Sequence, residues 1–230
     1  MHVISLNSYV ESDGLPLYFM GVFDGNQSLD FLVPIFDQPA HKDCQEKIVS
    51  AVGMHGTFQK AFNLLEKATG SKYPADVRKD AVFWIAMQKN DKRIGVILRV
   101  FENDTSYEVR KNCIFALFLV KTKESDTQLI KIARNAKKKE LRKNAIFWLG
   151  QRAGQRMAKV LGEVIDDDKE DDGVKNSAVF ALSQMPNGVD KLIKVVNTNK
   201  SLKIRKKALF WLGESGDPRA LDVIEKILLN

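Results

Sequence analysis

VRKDAVFWIA at 77–86, VRKNCIFALF at 109–118, LRKNAIFWLG at 141–150, VKNSAVFALS at 174–183 and IRKKALFWLG at 204–213 are one line of residues written five times. A weaker copy, CQEKIVSAVG at 44–53, precedes them. Successive copies start 33, 32, 32, 33 and 30 residues apart. Repetition at this period means a stacked array of small units. In each copy the apolar residues recur at i, i+4 and i+8, as at Val77, Ala81 and Ile85, which is one face of a helix.

A second apolar stretch lies between the copies with the same period. Examples are Phe58, Phe62 and Leu65, then Ile94, Ile97 and Phe101, then Met157, Leu161 and Val164. Each unit therefore reads as an outer helix A, a turn and an inner helix B. A two-helix unit cannot bury its own apolar face, so neighbours must stack. Turn signals separate the helices: Gly70 to Pro74, Asn103 to Ser106, Pro186-Asn187-Gly188, and Asp217 as an N-cap before Pro218. Helices are expected near 27–36, 43–54, 57–69, 75–88, 91–102, 106–121, 125–136, 138–150, 153–165, 173–184, 187–197, 201–213 and 217–229. That makes about six A–B pairs and a last A helix without its B partner. Residues 26–230 form the repeat region. Residues 1–25 alternate loosely around Glu11-Ser12-Asp13-Gly14 and read as an extended or β-hairpin cap, or as the remnant of an upstream region.

Tetratricopeptide repeats need Trp-Leu-Gly in helix A, whereas here it ends helix B, and the Thr-Pro-Leu-His turn of ankyrin repeats is absent. The lines VRKDAVFW, LRKNAIFWLG and IRKKALFWLGESGDPRAL resemble the short HEAT repeats of many bacterial proteins, including the phycobilisome bilin lyases. The resemblance runs from about Ser28 to Asn230. It implies an all-α, right-handed α–α superhelix whose B helices line a concave groove. It implies little about function, because these repeats serve many partners.

The 230 residues carry a net charge of +7, unevenly spread. Residues 1–70 hold four Lys, no Arg and eight Asp or Glu, so the basic part is the repeat region. Such a surface attracts acidic proteins or polyanions. Cys44 and Cys113 are far apart, make no disulfide framework or metal spacing, and read as small core residues. Met1 to Tyr18 lacks the basic and apolar regions of a secretory signal. The longest apolar run, Cys113 to Val120, is too short to span a bilayer. A cytoplasmic location without membrane contact is the default expectation.

Two rows on the B helices are candidates for chemistry. Phe83, Phe115, Phe147, Phe180 and Phe210 hold one position in every copy. The next position alternates Trp84, Ala116, Trp148, Ala181, Trp211. Large beside small is how facing layers interdigitate, so the Trp positions read as packing between repeats rather than as a stacking platform. Arg78, Arg110, Arg142, Lys175 and Arg205 stand at the core edge, where the resemblance implies bonds to neighbouring turns and carbonyls. Lys79, Lys111, Lys143 and Lys206 lie away from the core face on the side of the Phe row. These lysines and the five phenylalanines are the candidate partner-binding residues. Lys137-Lys138-Lys139 and Lys203 to Lys207 add basic clusters at helix starts. The acidic run Asp166 to Asp172 lacks calcium-loop spacing and reads as a solvated A–B loop.

Catalysis has little to stand on. His2, His41 and His55 form no metal or triad spacing, and no phosphate loop, Gly-x-Ser-x-Gly or Cys-His pairing is present. No cofactor is expected. The leading expectation is a non-enzymatic scaffold that binds a partner protein or acidic peptide through a basic concave groove. The alternatives are sequence-blind nucleic-acid or polyanion binding, or a HEAT-like enzyme or bilin-lyase-like factor. The apolar Ile227-Leu228-Leu229 in the last helix suggests either a monomer or weak self-association there.

Overall fold

The computed structural model describes residues 21–38, 44–152 and 154–229. The cap expected for 1–25, except its last residues, and both His2 and His41 lie outside them. Among the described residues there are thirteen helices and no strand. They are α1 (Gly25–Ile35), α2 (Gln45–Gly53), α3 (Gln59–Ala68), α4 (Ala75–Met87), α5 (Arg93–Asn103), α6 (Tyr107–Val120), α7 (Lys123–Asn135), α8 (Lys139–Arg152), α9 (Gln155–Asp166), α10 (Asp172–Ser183), α11 (Gly188–Thr198), α12 (Leu202–Gly213) and α13 (Pro218–Leu228). Each matches a helix read from the repeat pattern. No helix among the described residues is long and apolar enough to cross a membrane.

The chain forms two compact units, one ending at Ala116 and the other starting at Leu117, so the division falls inside α6. In the first unit α2 packs on α4 and α1 on α3, while α3 packs across on α2 and α4. In the second unit α8, α10 and α12 form one layer and α9, α11 and α13 the other, with each helix also packed on its sequence neighbour. This is the layering of stacked A–B pairs.

The repeated apolar positions build the core. Ala81 and Ile85 in the first unit are fully buried, as are Leu141, Ala145, Leu149, Val174, Ala178, Leu182, Ile204, Ala208 and Leu212 in the second. Each large aliphatic side chain so buried contributes about 1.5–3 kcal/mol. Cys113 is in the core as expected, and burial pushes its thiol pKa up. Cys44 departs from expectation: it is only half-buried, because it sits at the N-terminal boundary of α2 rather than on its inner face.

Local signals account for the helix ends. Asp24 and Thr122 form capping boxes with Gln27 and Ser125. Asp217 accepts a bond from the Arg219 amide, with Pro218 opening the last helix. The Pro186-Asn187-Gly188 turn is tight for a different reason. A Cβ on Gly188 would lie 1.8 Å from the Leu182 carbonyl oxygen, so only glycine lets α11 start this close to the end of α10.

Candidate partner-binding surface

The second position of the repeated line, the fourth residue of each of α4, α6, α8 and α12, is structural in every copy where its bonds are seen. Arg78 donates to the Tyr73 carbonyl at 2.6 Å, Arg110 to Phe101 at 2.8 Å, Arg142 to Ala136 at 2.7 Å and Arg205 to Val196 at 2.7 Å. Gln45 in the weak first copy does the same with Phe36 at 3.1 Å. Tyr73 lies in the turn just before α4; the other acceptors lie in the last turn or at the C-cap of the preceding A helix, where carbonyls lack intrahelical donors and a cation is favoured. Two of the arginines also tie one repeat to the next. Arg78 forms a two-pronged pair with Asp104 at 2.7 and 2.9 Å, and Arg142 with Glu170 at 2.7 and 2.9 Å. Burial alone would raise the Asp104 pKa, but the Arg78 bonds prevail and hold it below the ordinary carboxylate value.

The tryptophans lie between repeats. A Cβ on Gly53 of α2 would fall 2.1 Å from the Trp84 ring of α4, so the indole rests directly on the glycine. Trp148 of α8 meets Phe118 with ring centroids 4.6 Å apart, and Trp211 of α12 meets Phe180 of α10 at 4.9 Å. Where the copy carries alanine, the backbones approach: a Cβ on Gly150 would meet the Ala181 Cβ at 2.9 Å.

The phenylalanine row behaves differently from the core. Phe83 and Phe115 stack at 6.4 Å with planes 16° apart, and both remain half-buried. In the second unit Phe147 and Phe210 expose 41% and 52% of their surface, with Phe180 half-buried on the helix between them.

The lysine row is not the free positive face that the sequence suggested. Lys79 binds Asp76 at 2.7 Å, Lys111 pairs with Glu108 at 3.8 Å, and Lys143 binds Glu140 at 3.0 Å. Each acid stands three residues before its lysine, one position ahead of each copy, in DVRK, EVRK and ELRK. That spacing was legible as a helical i,i+3 pair. Around Lys79 the surroundings are acidic enough that burial, with Glu46 and Asp76, raises the Asp80 pKa against the pull of Lys79. The sixth copy breaks the pattern. The residue three before Lys206 is Lys203, which itself pairs with Asp172 at 3.2 Å. Lys206 is exposed and takes no ion pair among the described residues. Beside it the Lys207 ammonium lies over Phe210 at 4.9 Å and over Trp211 at 5.3 Å.

The acidic run is also not simply solvated. Lys139 pairs with Asp171 at 3.6 Å, Lys200 with Asp168 at 3.0 Å and Lys203 with Asp172 at 3.2 Å, besides the Arg142–Glu170 pair. Lysines from the repeats on either side thus converge on it. Among the described residues no group of His, Cys, Asp and Glu is placed to hold a metal ion.

Stacked A–B helix pairs with arginine-tied turns define an α-solenoid of short helical repeats. Residues 94–183 match the family of HEAT repeats, and residues 204–230 match the PBS lyase HEAT-like repeat. The chain thus carries HEAT-like repeats over these residues. No curated protein matches its sequence. Among solved structures it is similar to human deoxyhypusine hydroxylase in complex with glycerol, at 14% identity and a TM-score of 0.37, over 86% of this chain and 77% of that one. It is also similar to the complex of CpcE and CpcF of phycocyanin lyase from Nostoc, at 17% identity and a TM-score of 0.46, over 94% of this chain and 85% of that one.

Proposed function

We propose that this protein is a non-enzymatic interaction scaffold that receives an acidic segment of a partner protein on its B-helix face. The observation that carries the reading is the phenylalanine row. Five copies place Phe at the same position, outside the sealed core, and two of the five rings stay 41% and 52% exposed, the second beneath the Lys207 ammonium. Large aromatic side chains left at a surface next to cations are the usual makings of a binding hot spot, with the charges steering encounter. A polyanion track receives less support, because Lys139, Lys200 and Lys203 are already engaged by the acidic run.

The test is fluorescence anisotropy with a labelled glutamate-rich peptide at low and moderate salt, with single-stranded DNA in parallel. The peptide is expected to bind the wild type. Changing Lys79, Lys111, Lys143 and Lys206 together to Glu should abolish binding while leaving the melting temperature within a few degrees. Undiminished binding by that variant would remove the B-helix face from the reading. DNA binding tighter than peptide binding would replace the reading with the polyanion one.

A further inference from the structure

We infer that the docking site is not spread along the lysine row but concentrated on the second unit, at the patch made by Lys206, Lys207 and Phe210 of α12 and continued by Phe180 of α10 and Phe147 of α8. Its occupant is a short extended acidic peptide carrying an apolar side chain. This rests on the scaffold reading and locates it.

Three independent features single out the patch. The first is charge. Lys79, Lys111 and Lys143 each already hold a carboxylate on their own helix, so a partner carboxylate gains little by displacing it. Lys206 has no such competitor, because the position that supplies the acid elsewhere is Lys203, itself turned to Asp172. The second is apolar exposure. Phe210 is the most exposed ring of its row, at 52%, and the Lys207 ammonium over it marks the ring face as a surface that already accepts a polar group. The third is continuity. α8, α10 and α12 are consecutive members of one packed layer, so their equivalent phenylalanines line up across three helices. Helices in such a layer lie about 8–10 Å apart, giving a track of about 20 Å. An extended peptide covers that in about six residues.

The chemistry of the occupant follows from these groups. Lys206 and Lys207 call for carboxylates, and Phe210 calls for an apolar side chain to cover it. A purely anionic ligand would satisfy the first and leave the second in water.

The experiment uses the full chain and three labelled probes of similar length. One is a roughly twelve-residue peptide repeating Glu-Glu-Phe, long enough to overfill the track. The second repeats Glu-Glu-Ser, and the third is single-stranded DNA. Lys206→Glu is expected to weaken the Glu-Glu-Phe peptide about tenfold or more, whereas the double change of Lys79 and Lys111 to Glu, both in the first unit, costs under about threefold. Phe210→Ala should erase the preference for Glu-Glu-Phe over Glu-Glu-Ser. Phe210→Gln, a good helix former with a longer stem, serves if the alanine variant is unstable, with thermal melting as the check. The reverse ranking of the lysine variants overturns this location and leaves the scaffold reading standing. Equal binding of the two peptides by the wild type overturns the apolar requirement. If neither peptide binds the wild type, the scaffold reading falls and this inference with it. DNA bound more tightly than both peptides overturns both.

Discussion

Gly53 and Trp84 set the tolerance of the repeat interface. The indole occupies the space where a Cβ would stand, 2.1 Å away, so Gly53→Ala must displace a large ring. Overpacking of this kind costs about 1–3 kcal/mol. Trp84→Ala removes the ring and should cost about 3 kcal/mol. The two changes are expected to be strongly non-additive, since once the indole is gone the added methyl has room. Chemical denaturation of both single variants and the double variant checks this, and a double variant as unstable as the sum would refute the contact. This partnership could not be read from the sequence. The alternation of Trp and Ala was visible, but the residue each Trp rests on lies about thirty positions upstream and differs from copy to copy: Gly53 for Trp84, Phe118 for Trp148. The arginine row was legible, because a cation in the first turn of five successive B helices has one obvious set of acceptors, the carbonyls at the end of the helix before it or in the turn that follows.

At the scale of the element, α1 is joined to the turn after α2 by a bond of 3.0 Å between Ser28 Oγ and His55 Nε2, and His55 lies edge-on to Phe58 at 6.0 Å. Burial lowers the His55 pKa below its ordinary value of 6.5. The neutral ring is therefore the form the fold prefers. Its contribution is complete above about pH 6.5 and is lost as pH falls through the lower folded pKa. Melting temperature should thus decline as pH falls below about 6.5, and His55→Asn should flatten that decline. An unchanged slope in the variant would place the titrating group elsewhere. Sequence reasoning set His55 aside for lack of a metal or catalytic spacing. It had no means of pairing His55 with a serine 27 residues earlier. The helices themselves were readable to within a few residues, since strict i, i+4, i+8 burial and proline, glycine and aspartate at the ends fix them locally.

For the whole molecule, a net charge of +7 overstates how much positive surface is free. Changing Asp168, Asp171 and Asp172 together to Asn releases Lys200, Lys139 and Lys203, while Asn at 171 preserves a capable N-cap for α10. Labelled single-stranded DNA should bind this variant several-fold more tightly than the wild type at low salt. The salt dependence should steepen by about 2, at about 0.7 for each phosphate newly engaged. No gain would mean that the acidic run does not restrain those lysines. The candidate surface was only partly legible for the same reason. Periodicity places Lys79 and Lys206 in one row, yet their charges differ in effect because one has an acid a turn away and the other has a lysine. The indole row has a further consequence for the lineage of the chain. Along the sequence Ala51, Trp84, Ala116, Trp148, Ala181 and Trp211 keep a two-beat rhythm. Excising a single A–B pair, such as α9 with α10, would bring Trp211 onto α8, where Gly150 holds the place that Gly53 holds beneath Trp84. Loss of that one pair would thus leave a glycine waiting for the indole, so the array can shorten by a single unit at this point.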